Sequence, residues 1–231
     1  MTSKKLIIIP ARKGSKGLPN KNKLILGQIP LIQWSINHAI ECFAEYNLLV
    51  STDDLEIIDL CIKLNVQFQC RSDELSSDKA MMIDVLLNSL VFFEKKNNCK
   101  IDEIILLQPT FPFRTYEDSI NLKKIINSQE FENIVSVIKV NDSHPSRMYK
   151  INNNLLCPID EKFNNLNRQD LPPVYLRNGA YYCFKSTLIR TGKLYGNMLI
   201  PFIMETENKI NIDERIDFQL AKIIYDEVYK S

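Results

Sequence analysis

Short runs of apolar residues alternate along the chain with longer segments in which apolar residues recur every three or four positions. The short runs predict buried strands at 6–9, 48–50, 66–70, 104–107 and 134–140. The longer segments predict helices at 31–43, 55–62, 82–93 and 116–126. Because strand and helix alternate regularly over the first 140 residues, we predict an α/β fold, a Rossmann-like and mostly parallel sheet flanked by helices.

The alternation stops between residues 141 and 178, where the chain is polar, rich in asparagine and interrupted by prolines. This segment is too long for an ordinary connection, so we predict that it is a lid or a projecting piece of a single domain covering 1–231. The pattern resumes with a strand at 180–184 and ends with a helix at 214–229. The apolar stripe predicted for this last helix consists of Ile216, Leu220, Ile223, Ile224 and Val228.

Composition excludes several classes of protein. The 29 basic and 28 acidic residues leave a net charge of +1, without the basic surplus typical of nucleic-acid-binding proteins. No apolar run approaches the roughly 20 residues of a membrane span, and the one at 6–9 is too short for a signal peptide. Six cysteines without a Cys-x-x-Cys pair favour neither a zinc finger nor a disulfide framework. We therefore expect a cytoplasmic protein.

The loop after the first strand carries the first candidate chemistry. Gly14 and Gly17 allow a tight turn whose backbone N–H groups can point at an anion. Arg12, Lys16 and Lys21 bring positive charge to the same loop. Ligands of such folds bind at the carboxyl ends of the strands, so the loop predicts a triphosphate site. Its spacing matches neither a P-loop nor Gly-x-Gly-x-x-Gly, and a solvated basic loop is the alternative interpretation.

These residues and several later motifs together resemble one known family. Residues 7–22 read IIIPARKGSKGLPNKN and resemble the signature of the CMP-sialic acid synthetases, also called acylneuraminate cytidylyltransferases. Further elements follow in the family's order: STDD at 51–54, RSDELSSD at 71–78, LQPTFPFR at 107–114, RQDLP at 168–172, NGA at 178–180 and INID at 210–213. Each motif alone is weak, but the set spans nearly the whole chain and is specific.

The resemblance implies a nucleotidyltransferase-type fold and a defined reaction. The anomeric hydroxyl of a nine-carbon α-keto acid sugar would attack the α-phosphorus of CTP and release pyrophosphate, with Mg²⁺, or Mn²⁺ in its place, neutralising the phosphates. The choice among sialic, legionaminic and pseudaminic acids stays open. The family also implies a homodimer, formed through 141–178. The related Kdo-activating enzymes resemble a pattern with Asp where this chain has Thr110, which favours the nine-carbon sugars.

The resemblance also assigns residues to the nucleotide. It implies that the triphosphate and nucleoside are bound by polar residues of the first loop: Arg12, Ser15, Lys16, Lys21 and Asn22. Arg71 and the backbone near Ala80 would read cytosine, because an arginine can donate to the O2/N3 edge of the base. A surface ion pair with Asp73 or Glu74 is the alternative for Arg71.

A second group of residues is assigned to the sugar. Gln108 would orient the anomeric hydroxyl. Arg147 and Arg168 suit the sugar carboxylate, since a guanidinium can bind both of its oxygens. In this family, basic residues of the same segment reach the partner's site, and whether these two arginines do so stays open. Tyr181 is placed in the sugar pocket, with core packing as the alternative.

The metal is assigned to Asp213, with Asn211 as a weaker, neutral ligand where the family has an acid. Asp217 is expected to stabilise the start of the last helix instead. Together with Arg12, Lys21 and Gln108, Asp213 completes the predicted catalytic set.

Two competing functions remain at this stage. A sugar-1-phosphate or Kdo nucleotidyltransferase would share the sheet and the phosphate loop, although the motifs at 108–110 and 168–170 speak against the sugar-1-phosphate type. A nucleotide-binding protein without turnover is the other, motivated by Asn211 at the acidic position.

Overall fold

A computed structural model of the protein describes residues 4–14, 17–140, 142–163, 166–205 and 210–230. The strands are β1 (Lys5–Ala11), β2 (Ile25–Leu26), β3 (Ile29–Pro30), β4 (Asn47–Thr52), β5 (Gln67–Cys70), β6 (Glu103–Leu106), β7 (Asn133–Lys139), β8 (Tyr149–Asn152), β9 (Leu155–Pro158), β10 (Tyr175–Lys185) and β11 (Leu199–Ile203). The helices are α1 (Leu31–Cys42), α2 (Leu55–Lys63), α3 (Asp73–Ser76), α4 (Met82–Asn97), α5 (Tyr116–Ser128), α6 (Ser186–Arg190) and α7 (Arg215–Val228). Within these ranges, no helix combines the length and apolar character that crossing a membrane requires.

The described residues form a central seven-stranded sheet in the order β11-β7-β10-β6-β1-β4-β5. Six of these strands run parallel to one another, whereas β10 is antiparallel to both of its neighbours, β6 and β7. The prediction of a mostly parallel α/β sheet is therefore confirmed. The sequence pattern did not reveal β11, the direction of β10, or the small hairpins β2–β3 and β8–β9.

The side chains of strand β1 pack against helices on both faces of the sheet. Leu6 and Ile8 belong to the apolar cluster formed with α4 and α6, and Ile7 and Ile9 belong to the cluster formed with α1, α2 and α5. All four side chains are fully buried. An unbroken apolar run is what a parallel strand needs when helices pack on each side.

Helix α7 packs through a different face from the predicted one. Ile216, Leu220, Ile223 and Val228 are exposed, and of the predicted stripe only Ile224 packs against the core. The helix instead buries Phe218 and Ala221. An aromatic cluster sets this orientation, because the indole of Trp34 contacts the rings of Phe113, Tyr225 and Tyr229 at centroid distances of 5.6, 5.8 and 5.5 Å.

Residues 142–174, which we call the excursion, leave the sheet after β7 and return at β10. The two ends lie side by side, since the N–H of Val140 donates to the carbonyl of Val174 (3.0 Å). The buried His144 joins them: its Nδ1 accepts from the N–H of Ser146, and its Nε2 lies 3.1 Å from the carbonyl oxygen of Pro172. The excursion carries the hairpin β8–β9, and residues 175–178 of the predicted segment belong to β10.

Arg114 connects this sheet to the loop that follows β6. It is 6% exposed, and its guanidinium donates to the carbonyl oxygens of Gln108 (2.8 Å), Phe111 (2.5 Å) and Ala180 (2.8 Å). Burial lowers the pKa of Arg114 to about 10, which leaves the side chain protonated at neutral pH. One buried cation thus fixes the backbone of the 108–114 loop against β10.

We predict that Arg114→Met destabilises the fold. Several buried carbonyls would lose their donor, so the free energy of unfolding should fall by about 3 kcal/mol. Urea denaturation measures this change. The control is Arg215→Met at the exposed first residue of α7, which should stay within about 0.5 kcal/mol of the unchanged protein. Equal stability of the two variants would show that the buried hydrogen bonds contribute nothing.

Candidate active site

A cavity of about 630 Å³ opens at the carboxyl ends of β1, β5 and β6. This is the edge at which open α/β sheets bind ligands. Its lining comes from four separate segments and includes Arg12, Gly17, Lys21, Asn22, Arg71, Asp78, Ala80, Gln108, Thr110, Asn211, Asp213 and Glu214. The fold therefore brings together eight predicted site residues: Arg12, Lys21, Asn22, Arg71, Ala80, Gln108, Asn211 and Asp213. Ser15 and Lys16 lie outside the described residues.

The first loop is held by side chains from its surroundings. The carboxylate of Asp53, which follows β4, accepts from the N–H of Lys13 at 2.6 Å. The buried amide of Asn22 donates to the carbonyl of Arg12 at 3.1 Å. A Cβ at Gly17 would lie 2.7 Å from the carbonyl oxygen of Asp213, so only glycine lets the loop come this close. Asn22 thus shapes the loop as well as lining the cavity.

Two cations of the first loop are paired with carboxylates at the cavity. Nη1 of Arg12 lies 2.8 Å from Oδ1 of Asp78. Nζ of Lys21 lies 2.9 Å from Oδ1 of Asp213 and donates to the carbonyl of Ile212 at 2.9 Å. These pairs hold the positive groups in place, and each can exchange its carboxylate for an anionic ligand.

Arg71 follows β5 and is buried at the cavity wall. Its guanidinium donates to the carbonyl of Ser51 at 2.7 Å and to that of Leu75 at 3.4 Å. Burial lowers its pKa to about 10, so the cation persists at neutral pH. A surface ion pair with Asp73 or Glu74 does not fit this buried position. Three of the five N–H donors are used, counting a 3.4 Å contact to the Ser51 hydroxyl, and the others can serve a ligand.

A bulge in β10 brings backbone close to Gln108. The register with β7 shifts between Arg177 and Tyr182, and Gly179 within this bulge has φ +79°. A Cβ at Gly179 would lie 3.0 Å from Oε1 of Gln108 and 3.2 Å from Oδ1 of Asn211. Both amide side chains therefore converge on a position that only a glycine leaves open.

The segment before α7 places Asn211 and Asp213 on the cavity. Ile212 between them is buried, and its N–H donates to the carbonyl of Thr110 at 2.8 Å. Oδ2 of Asp217 accepts from the N–H groups of Asp213 (2.9 Å) and Glu214 (2.8 Å). The prediction that Asp217 stabilises the start of this helix is confirmed, and the same bonds fix the backbone of Asp213.

Three predicted sugar residues are not at this cavity. Tyr181 is fully buried, and its hydroxyl lies 2.8 Å from Nε2 of His38, so the placement of Tyr181 in the sugar pocket is corrected: its ring belongs to the core. Burial raises the pKa of this phenol well above its usual value. Arg147 and Arg168 lie on the excursion, exposed, with Arg147 paired to Asp142. Within one chain, neither arginine lines the cavity.

Sequence reasoning did not place four polar residues in the site, although they line the cavity: Ser77, Asp78, Thr110 and Glu214. Asp78 closes the 71–78 motif, and its pairing with Arg12 at 2.8 Å is a tertiary contact that no local signal in the sequence reveals. Glu214 is the N-cap of α7, which its position just before the last helix already indicated.

The oxygen donors of the cavity fit a hard divalent cation, provided that the ligand supplies most of the coordination. Oδ1 of Asn211 is buried and accepts no hydrogen bond from the described residues, and the carboxylate of Asp213 is exposed to the cavity. In the described ranges, no group of three or more His, Cys, Asp or Glu side chains could hold a metal. Magnesium bound to nucleotides commonly takes one or two carboxylates, with phosphate oxygens and water as the other ligands.

Comparison with known proteins places this geometry in a family. Residues 6–225 match the family model described as cytidylyltransferase. An N-acylneuraminate cytidylyltransferase of Escherichia coli is 30% identical over 224 residues, which cover 96% of this chain and 52% of that protein. A CMP-N,N'-diacetyllegionaminic acid synthase of Legionella pneumophila is 30% identical over 226 residues, which cover 94% of each protein.

The chain spans about half the length of the curated N-acylneuraminate cytidylyltransferases that it matches, and nearly all of the Legionella protein. Among solved structures, a CMP-2-keto-3-deoxy-manno-octonic acid synthetase complexed with CTP superposes with a TM-score of 0.71 at 17% identity, covering 97% of this chain and 99% of that one. This structural likeness supports the fold assignment. The family follows from the sequence matches: the chain belongs to the cytidylyltransferase family, within the CMP-sialic acid synthetase group.

Proposed function

We propose that the protein transfers CMP from CTP to a nine-carbon α-keto acid sugar of the sialic or legionaminic type and releases pyrophosphate. The observation that carries this proposal is the convergence of Arg12, Lys21 and the buried Arg71 on one cavity beside Asp213. The relatives named N-acylneuraminate cytidylyltransferase and CMP-N,N'-diacetyllegionaminic acid synthase support it. Because CTP is a cytoplasmic nucleotide, we place the activity in the cytoplasm.

In this proposal, the first loop binds the triphosphate. Arg12 and Lys21 neutralise charge on the phosphates, and their fixed positions mean that little reorganisation is needed as charge builds on the leaving pyrophosphate. Arg71 donates to the O2/N3 edge of cytosine, and the wall near Ala80 supports the base. Ser15 and Lys16 are assigned to the same loop by the family's signature alone.

Mg²⁺ is proposed as the cofactor, with Mn²⁺ able to replace it, held by Asp213 and assisted by Asn211. Bound there, the cation would neutralise phosphate charge that otherwise repels the attacking hydroxyl. The chain's own contribution is to fix Asp213 at the cavity through the buried Ile212 and the backbone bonds to Asp217.

The sugar is proposed to bind at Gln108, with its anomeric hydroxyl oriented by the side-chain amide. Gly179 keeps this place open, because a side chain there would meet both Gln108 and Asn211. A Kdo-activating function remains the alternative with the same fold. Thr110, at the position where the Kdo-activating pattern has Asp, favours the nine-carbon substrates.

A homodimer formed through the excursion is proposed as the working assembly. The hairpin β8–β9 is exposed along nearly its whole length, with Ile151 at 77% and Leu155 and Leu156 close to 70%. A two-stranded hairpin is only marginally stable alone, and exposed apolar side chains of this density are typical of an interface. A partner would cover them and bring Arg147 and Arg168 toward the neighbouring cavity.

The central test measures pyrophosphate release with CTP and a panel of keto acids. We expect turnover with at least one nine-carbon acid, little with Kdo, and none with a sugar 1-phosphate. CTP should be preferred over UTP, GTP and ATP, because Arg71 is proposed to donate to N3 of cytosine, which in uracil carries a hydrogen and cannot accept. CTP binding without turnover on any of these acids would support the non-catalytic alternative, and preference for Kdo would move the assignment to the eight-carbon branch.

Asp213→Asn should lower turnover by at least about 100-fold without loss of the fold, since one negative ligand is removed from an exposed position. Pyrophosphate release across a Mg²⁺ titration measures this effect. Asp226→Asn on α7, where Asp226 pairs with the exposed Lys230 away from the cavity, is the matched control and should be fully active. Asn211→Asp should be tolerated. Full activity of Asp213→Asn, or unchanged turnover in excess EDTA, would refute the metal assignment.

Light scattering should give a dimer at micromolar concentration, and Ile151→Asp should shift it toward monomer, because a charge enters an apolar contact.

Arg168→Ala should raise KM for the keto acid about tenfold and leave KM for CTP unchanged. Mixing Arg168→Ala with Asp213→Asn tests whether sites are shared: if Arg168 acts in the partner's site, hybrids contain one intact site and recover activity. A monomeric, fully active protein would contradict the proposal.

A further inference from the structure

Both carboxylate oxygens of Asp213 are occupied by donors of the chain itself. Oδ1 lies 2.9 Å from Nζ of Lys21, and Oδ2 accepts from Nδ2 of Asn211 at 2.5 Å. The side chain of Asp213 is 64% exposed to the cavity, so these bonds are formed at the place where a ligand would enter. The free protein thus holds a cation, the ammonium of Lys21, beside its best metal ligand.

The two donors differ in how easily they can leave. Asn211 is a neutral amide on the same short segment, and the carboxylate can accept only from its NH₂ end, which orients the amide. Lys21 comes from a different part of the chain, 192 positions away, on a flexible stem. A triphosphate in the cavity offers this ammonium a more highly charged partner, whereas the neutral amide of Asn211 gains less from that charge.

We infer that Lys21 is an exchangeable internal counter-ion, which occupies the cation position beside Asp213 until the triphosphate draws it away. The inference rests on the proposed use of CTP. Two positive groups within about 4 Å repel strongly near a protein surface, so Lys21 and a divalent cation cannot share Asp213. Metal and nucleotide therefore bind as a coupled pair, and the coupling acts equally in both directions.

Because Asn211 is neutral, displacement of Lys21 is the step that frees Asp213 for a metal ion. A second carboxylate at position 211 would add repulsion that only a cation could relieve, and the empty cavity would then attract divalent metal. The amide instead holds Oδ2 of Asp213 in place without any cation. Removal of the lysine charge should consequently be enough to expose Asp213 to metal in the absence of nucleotide.

The test measures Mn²⁺ binding to the nucleotide-free protein by electron paramagnetic resonance. Lys21→Met keeps the apolar stem and removes the charge, and it should bind Mn²⁺ about tenfold more tightly than the unchanged protein. The same variant should bind CTP in EDTA about tenfold more weakly by calorimetry. These opposite shifts are what removal of a positive charge from an intact site should give, because a merely damaged site would lose affinity for both ligands.

Lys23→Met is the matched control. Lys23 lies in the same 3-10 turn but pairs with Asp54 at 3.1 Å and Glu56 at 2.6 Å, away from the cavity lining. It should bind Mn²⁺ and CTP like the unchanged protein. Lys21→Gln serves as a second neutral variant if thermal unfolding shows that Lys21→Met does not fold.

One result would overturn the inference: a Mn²⁺ affinity of the nucleotide-free protein that the Lys21 substitutions leave unchanged or lower. Failure of the proposed function is recognised separately. It would appear as absence of CTP binding to the unchanged protein in EDTA, or of pyrophosphate release with every keto acid, whatever the Mn²⁺ measurements give.

Discussion

Arg114 lies at the junction between β6 and β10, where the direction of the otherwise parallel sheet reverses. Its guanidinium donates to the carbonyl of Gln108, just after β6, and to that of Ala180, within β10. The rings of Phe111 and Tyr181 cover it, with its central carbon 5.6 and 5.5 Å from their centroids. A buried charge of this kind tolerates only one arrangement of its acceptors, so the loop that carries Gln108 and the bulge that carries Gly179 are fixed relative to each other.

The cavity built on this junction is electrostatically balanced before any ligand enters. Arg12 is paired with Asp78, and Lys21 with Asp213, so the two positive groups that we propose for phosphate binding are held in place by neighbouring carboxylates. Exposed pairs of this type contribute little to stability. Their importance lies in preorganisation: the pairs keep the cations in the cavity, and a stronger anion can replace the carboxylates at small cost.

The excursion follows a different logic from the rest of the chain. The contact between His144 and the carbonyl of Pro172 joins the two ends of its described part. Its hairpin, in contrast, presents isoleucine and leucine side chains to solvent. A single chain gains nothing from such exposure, since burial of apolar surface is the main favourable term in folding. The exposed apolar hairpin therefore supports the proposed homodimer, as do the arginines that lie away from their own cavity.

The sequence by itself determined the elements whose pattern is local. Four features could be predicted because period and turn chemistry are encoded within a few neighbouring residues. They are the unbroken apolar run of β1, the alternation of strands and helices, the basic first loop and the stabilisation of the start of α7 by Asp217. The motifs also predicted much of the site, because eight of the predicted site residues line the same cavity.

Only the tertiary structure decided the contacts between distant parts of the chain. The reversal of β10, the pairing of Arg12 with Asp78 and that of Lys21 with Asp213 depend on where the chain returns after long connections. Tyr181 illustrates the limit: in a strand covered on both faces, alternation does not separate a core position from a cavity position. The face buried by α7 was likewise set by the aromatic partners of Trp34, because a helix with apolar residues on two sides can pack through either one.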